Sequence, residues 1–167
     1  MREKLHITAL VFIALAITTQ TTNAQQNWVK DANNPVMDNH ANTQAWDRWY
    51  TQPSVLVVGD SLRMWYGGWN HGMPHQIGHA YSVDGGSTWI KNTSPVILAG
   101  NIGDWDRAKN PNSILLENDT LKMWYTGSSD DFNLNNSIGY AKRHIHDTAW
   151  TLTNLPILEK GTSGVWD

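Results

Sequence analysis

Leu62-Arg63-Met64-Trp65-Tyr66-Gly67-Gly68, then Ile77-Gly78-His79-Ala80-Tyr81-Ser82, then Asp84-Gly85-Gly86-Ser87-Thr88-Trp89, form a stretch that recurs further along the chain. Leu121-Lys122-Met123-Trp124-Tyr125-Thr126-Gly127, Ile138-Gly139-Tyr140-Ala141 and Trp150 follow in the same order. Met64 and Met123 are 59 residues apart, and the Ile77–Ile138 and Trp89–Trp150 offsets are both 61. Self-similarity at one spacing marks a supersecondary unit that cannot bury its own faces and must stack on its neighbours.

Working outward, the register extends in both directions. Trp28-Val29-Lys30 matches Trp89-Ile90-Lys91 and Trp150-Thr151-Leu152; Asn34-Pro35-Val36-Met37 matches Ser94-Pro95-Val96-Ile97 and Leu155-Pro156-Ile157-Leu158. Trp46-Asp47-Arg48 matches Trp105-Asp106-Arg107 and then Trp166-Asp167. Inside each unit the signals are those of strands. Pro53 to Val58 and Ser113 to Leu116 are rich in Val, Ile and Leu and end at Gly59-Asp60-Ser61 and Glu117-Asn118-Asp119, which read as tight hairpin turns. The second strands, 62–66 and 121–125, alternate Leu, Met and Tyr with Arg or Lys and Trp; the third run over 76–82 and 137–142, and the fourth start at Trp89 and Trp150. No sustained apolar period of 3.6 residues is present beyond the first segment, so the expected class is all-β. Four antiparallel strands per unit of about 60 residues describe β-propeller blades. Repeats of a flat solenoid would be shorter, and an immunoglobulin-like sandwich would not repeat internally. Two blades and a leading strand, at about 53–92 and 112–153, leave a ring of four to eight blades incomplete. The expectation is a piece of a longer propeller, whose remaining blades this chain lacks.

Arg2 and Lys4, the apolar run from Ile7 to Ile17 and the small residues before Gln25 read as a signal peptide over 1–24, cleaved after Ala24. The run is too short for a membrane span of about 20 residues. The expected product is therefore secreted, extracellular or periplasmic, with no membrane contact after cleavage and residues 25–167 as the propeller part. Loss of Arg2, Glu3 and Lys4 removes two cations and one anion, taking the net charge from −3 to −4. With no basic patch, nucleic acid is excluded as a partner. No cysteine is present, so packing alone must hold an exported fold. Ten Trp against two Phe require a repeated packing role, ring-stacking ligands, or both.

Up-and-down strands divide the loops between two ends. The linkers between units and the loops joining second to third strands, Gly67 to His75 and Gly127 to Asn136, are long and share one end, where ligand binding is expected. The turns at the other end are short. Among them, Ser82-Val83-Asp84-Gly85-Gly86-Ser87-Thr88-Trp89 fits the Asp-box pattern S-x-D-x-G-x-T-W of sialidases and other propellers. Its Ser82, Asp84, Gly86, Thr88 and Trp89 are expected to be structural: Asp84 accepts amide bonds across the turn, the glycines take positive φ, and Trp89 packs beneath. The second copy, Arg143 to Trp150, lacks the glycine pair.

The order Asn-Pro-Val, Trp-Asp, Pro-Ser-Val, Met-Trp-Tyr-Gly-Gly, Ile-Gly-His-Ala-Tyr-Ser, Asp-Gly-Gly-Ser-Thr-Trp resembles the five-bladed propeller glycosidases: family 43 arabinanases and xylosidases, family 32 invertases and family 130 mannoside phosphorylases. The resemblance covers roughly Trp28 to Asp167 and lies mostly in scaffold motifs. It implies a carbohydrate-active protein, hydrolysing or phosphorolysing a glycosidic bond of a plant or microbial glycan with paired carboxylates around a central funnel and no cofactor. In family 43 an Asp often follows the proline of an inner strand, whereas here Pro53 precedes Ser54 and Pro111 precedes Asn112. The nearest acids are Asp47 and Asp106, which become the candidate catalytic pair, with Arg48 and Arg107 as substrate-binding neighbours. The competing reading is that a Trp-Asp-Arg repeated in every unit is an inter-blade clamp. Trp69, His71, His75 and Asp130 in the long loops are further candidates for sugar contacts. His71, His75 and His79 are spaced by four, but Gly72 and Pro74 break any helical face, so no metal site is expected. Two alternatives stand: a non-catalytic propeller that binds glycan or protein, and a sialidase-like hydrolase.

Overall fold

A computed structural model describes residues 28–38, 41–129 and 136–162. The signal-peptide segment, Asp130 and the final Trp166-Asp167 lie outside the described residues. The chain divides into two compact units, Met1–Asp31 and Ala32–Asp167. Of the first, residues 28–31 are exposed and carry no strand, so the leading strand expected at Trp28 is not formed; Trp28 is 95% exposed. Strand pairing explains the difference, because the matching segments at Ile90 and Thr151 are strands only through their ladders with the strand before them.

The second unit holds two four-stranded antiparallel sheets with no helix among the described residues. The first is β1 (Trp49–Val58), β2 (Ser61–Trp69), β3 (Gln76–Ser82) and β4 (Ile90–Lys91); the second is β5 (Ala108–Glu117), β6 (Thr120–Ser128), β7 (Asn136–His144) and β8 (Thr151–Leu152). Both run in sequence order, β1-β2-β3-β4 and β5-β6-β7-β8, as two consecutive propeller blades do. The first strands begin earlier than their β-branched runs, directly after Arg48 and Arg107, and each carries an irregularity, between Thr51 and Ser54 and between Pro111 and Ser113. Since Ser54 pairs with Trp65 and Ser113 with Trp124, Pro53 and Pro111 stand one position out of register and are not equivalent. The last strands are only two residues long, supplemented by bridges Ile77–Ile97 and Ile138–Leu158 from the linker that follows.

The repeated motifs resolve into one device. Tyr66 lies opposite Gly78, and Tyr125 opposite Gly139. A Cβ at either glycine would sit 2.3 or 2.2 Å from the tyrosine ring, so the Ile-Gly of the third strand is the seat of the ring. The same rings stack beneath Trp46 and Trp105 at 6.3 and 6.0 Å. Gly68 and Gly127 leave room for those tryptophans, whose indole N–H groups donate to Thr93 O at 3.1 Å and Asn154 O at 3.0 Å.

Alternation along β2 gives the first sheet two buried faces. Met64 and Tyr66 pack outward with Met37, Trp46, Tyr50 and Trp89. Trp65 points the other way into a cluster shared with the second sheet, containing Ile77, Ile97, Ile114, Leu121, Met123, Tyr125 and Ala141. That shared cluster is the main core, and burying its rings and branched side chains is the chief favourable term holding one sheet on the other.

Candidate functional site at the long-loop end

The linker before β1 and the loop after β2 meet, as the strand alternation requires. Asn70 donates through Nδ2 to Thr43 O at 3.0 Å and Ala45 O at 2.8 Å, and its Oδ1 accepts from the His71 amide at 2.7 Å. Gly72, at φ 75°, turns the loop. On this frame aromatic groups gather. Trp49 and Trp69 are cross-strand partners with ring centroids 4.6 Å apart; the His71 ring meets Trp49 edge-on at 4.6 Å, and His75 stacks on Trp69 at 5.4 Å. The Arg48 guanidinium lies 4.6 Å over Trp49, within cation–π range.

The second sheet completes this corner. His75 Nδ1 is 2.9 Å from Oδ1 of Asn110 on β5, and the His75 carbonyl accepts from the Lys109 amide at 3.0 Å. Asn110 is 2% exposed, and a Cβ at Gly67 would stand 2.1 Å from its Oδ1. Gly67 is therefore the gap through which β5 approaches the loop, and its counterpart Thr126 instead bonds the Asn112 side chain at 2.8 Å.

Asp47 and Asp106 lie elsewhere in the packing. Asp47, 3% exposed, accepts from Tyr66 Oη at 2.9 Å and Lys91 Nζ at 3.0 Å on the same Oδ2. Asp106 Oδ2 accepts from Tyr125 Oη at 2.8 Å and has Lys109 Nζ at 3.4 Å. Burial first, then the carboxylate, pushes both tyrosine hydroxyls well above their ordinary range, so they stay protonated as donors. The ammonium reaches each Asp from a different strand. In the first sheet it comes from Lys91 on β4, which also donates to Tyr50 Oη at 2.6 Å; in the second it comes from Lys109 on β5. Lys109 occupies the place of Tyr50, and Leu152 the place of Lys91. Burial lowers the pKa of both lysines; Tyr50 and Asp47 outweigh it and raise that of Lys91, whereas the deeper Lys109 remains lowered despite Asp106.

Of the residues marked in the sequence, Arg48, Trp69, His71 and His75 come together, while Arg107 sits at the head of β5 with its backbone tied to Gly100 and Asp104. Among the described residues no group of three His, Asp or Glu is placed to hold a metal ion. The turn from Ser82 to Trp89 is closed by its own side chains. Ser82 Oγ donates to Asp84 Oδ1 at 2.7 Å, Asp84 accepts from the Thr88 amide at 2.9 Å and hydroxyl at 2.6 Å, and Trp89 Nε1 donates to Gly86 O at 2.9 Å. Trp49, Asn110, Lys91 and Lys109 belong to the same surroundings and carry no motif of their own. Their signal is the failure of the repeat: Trp49 faces Ala108 in the alignment, Thr51 faces Asn110, and Trp69 faces Ser128.

No family model matches the sequence, and no curated protein does. Solved structures do. A glycosyl hydrolase from Bacteroides ovatus superposes with a TM-score of 0.59 at 16% identity over 74% of this chain and 39% of its own. A family 117 glycoside hydrolase from the marine bacterium Zobellia galactanivorans gives 0.60 at 17% identity over 71% and 41%. The fold is thus one found in glycoside hydrolases, and the chain spans about two fifths of the length of these structures.

Proposed function

We propose that this chain forms two blades of a secreted carbohydrate-active propeller of the glycoside hydrolase type, and that the aromatic corner at the long-loop end contacts the sugar. The observation carrying this reading is the cluster of Trp49, Trp69, His71 and His75, present, among the described residues, on one blade only. Indole faces stack on the C–H faces of pyranose rings, and imidazole and guanidinium groups beside them hydrogen-bond hydroxyls. A scaffold motif repeats from blade to blade, whereas a binding group is set at one place.

Asp47 and Asp106 are assigned to the clamp. Their carboxylates take the same Tyr hydroxyl and a Lys ammonium in both blades, which supports a structural office rather than that of acid and base. That same observation favours the second reading, a propeller that binds glycan without cleaving it. Tryptophan fluorescence of the chain titrated with an oligosaccharide panel tests the proposal. A saturable change, lost in Trp69→Ala and weakened at least tenfold in His75→Ala, is expected. The absence of any saccharide response, or an unchanged response in Trp69→Ala, rejects it. Asp106→Asn should bind as the parent does.

A further inference from the structure

At the end opposite the long loops, a cavity of about 370 Å³ opens between the two sheets, lined by Arg63, Trp65, His79, Tyr81, Asn92 and Arg143 among others. Among the described residues, the buried side-chain nitrogens without a hydrogen-bond partner are Arg63 Nε, Trp65 Nε1, His79 Nε2 and Arg143 Nε. All four belong to residues that line this one cavity, and they come from three strands, β2, β3 and β7. Guanidinium and indole nitrogens are donors with no acceptor capacity, so only an acceptor can satisfy them. No Asp or Glu lines the cavity. Arg143 does donate to the Asp147 carbonyl at 2.5 Å and lies 5.3 Å over Trp150, which orients it; the Asp147 carboxylate acts on it electrostatically but does not line the cavity.

The counterpart of Arg63 is Lys122, which pairs with Glu117; the position of Glu117 in the first sheet is Val58. Arg63 thus keeps the cation but lacks the acid that its copy has. Like charges face each other across the cavity: burial, followed by Arg63, lowers the pKa of Arg143, and the Asp147 carboxylate offsets this only in part.

We propose that this inter-sheet groove is a binding site for a tetrahedral oxyanion, a sulfate or phosphate group held between Arg63 and Arg143 with the Trp65 indole N–H as third donor. Charge-assisted bonds from guanidinium to such oxygens are the strong class, and several oxygens suit donors arriving from three strands. His79 Nδ1 lies 3.4 Å from Asn92 Oδ1 and donates to it, so its Nε2 joins the anion's donors only when the ring is protonated. The group is either the free ion or one borne on a sugar. The site is separate from the aromatic corner and stands whether or not that corner binds saccharide.

Calorimetric titration of the chain with sodium sulfate, against sodium chloride of equal ionic strength, tests it, with thermal unfolding as the second measurement. One sulfate per chain is expected, with affinity at least tenfold weaker in Arg63→Leu and in Arg143→Met. Arg63→Leu, which removes a cation with no acid partner, should leave the sulfate-free Tm unchanged or raised while abolishing the rise that sulfate causes in the parent. A sulfated monosaccharide binding tenfold tighter than sulfate would identify the sugar-borne form, and equal affinity the free ion; both uphold the site. No saturable sulfate heat, or an equal rise of Tm in parent and Arg63→Leu, overturns it.

Discussion

At the scale of single residues, glycine positions that look like flexibility are seats for rings. Gly78 and Gly139 each face a tyrosine at a distance no Cβ could occupy, and each tyrosine then presents its hydroxyl to a linker Asp, the buried Asp47 or the half-buried Asp106. Asp84 shows the same economy in a turn. The Thr88 hydroxyl, the Thr88 amide and the Ser82 hydroxyl, in that order of effect, hold its carboxyl well below the usual carboxylate range although it is exposed. A depressed folded pKa means that the unfolded chain binds the proton more readily. The stabilisation from Asp84 is therefore complete above its unfolded value of 3.8 and is lost as pH falls through the folded value. Thermal unfolding followed from pH 6 down to pH 2 should show an acid-side loss of Tm that is smaller in Asp84→Asn than in the parent. Equal acid limbs would exclude the linkage.

At the scale of elements, each blade holds its linker Asp with one Tyr and one Lys, but the Lys rides on different strands. Lys91→Leu leaves the buried Asp47 with one donor fewer, at a cost of about 1.5–3 kcal/mol, the range for a hydrogen bond to a charged group. Adding Tyr50→Lys to that variant copies the arrangement of the second blade and should return a large part of the loss, measured by urea unfolding. Tyr50→Lys giving no recovery would show that the two sites are not equivalent. Strand positions were legible in the sequence because alternation and turn residues are local: β3 occupies Gln76–Ser82 as the pattern implies, and Asn118 and Asp119 take the positive φ values, 48° and 57°, of a tight hairpin. The lysine exchange was not legible, because Lys91 and Asp47 are 44 residues apart and meet only when the linker folds back. Nor was the aromatic corner legible as a whole, since Trp49 reads as one more tryptophan until its cross-strand pairing with Trp69 is known.

At the scale of the molecule, the two sheets share one core. Trp65 from the first sheet is fully buried among Leu121, Met123 and Tyr125 of the second, and Trp150 meets it edge-on at 6.2 Å. Trp65→Ala should cost about 3–5 kcal/mol, the range for removing a buried aromatic ring. It should also lower amide-exchange protection in both sheets together. Met64→Ala, in the cluster of the first sheet alone, should lower protection there and leave β6 and β7 little changed. Protection lost from only one sheet in Trp65→Ala would mean that the blades unfold separately. The exchanged lysines also carry a record of how duplicate units drift apart. Moving an ammonium from the last strand to the first passes through a chain with two lysines at one Asp or with none. The first is a charge surplus at a partly hydrated linker, the second a carboxylate buried beside a lone hydroxyl. Gain before loss is the easier order, and once it has happened in one copy the two blades cease to be spare parts for each other.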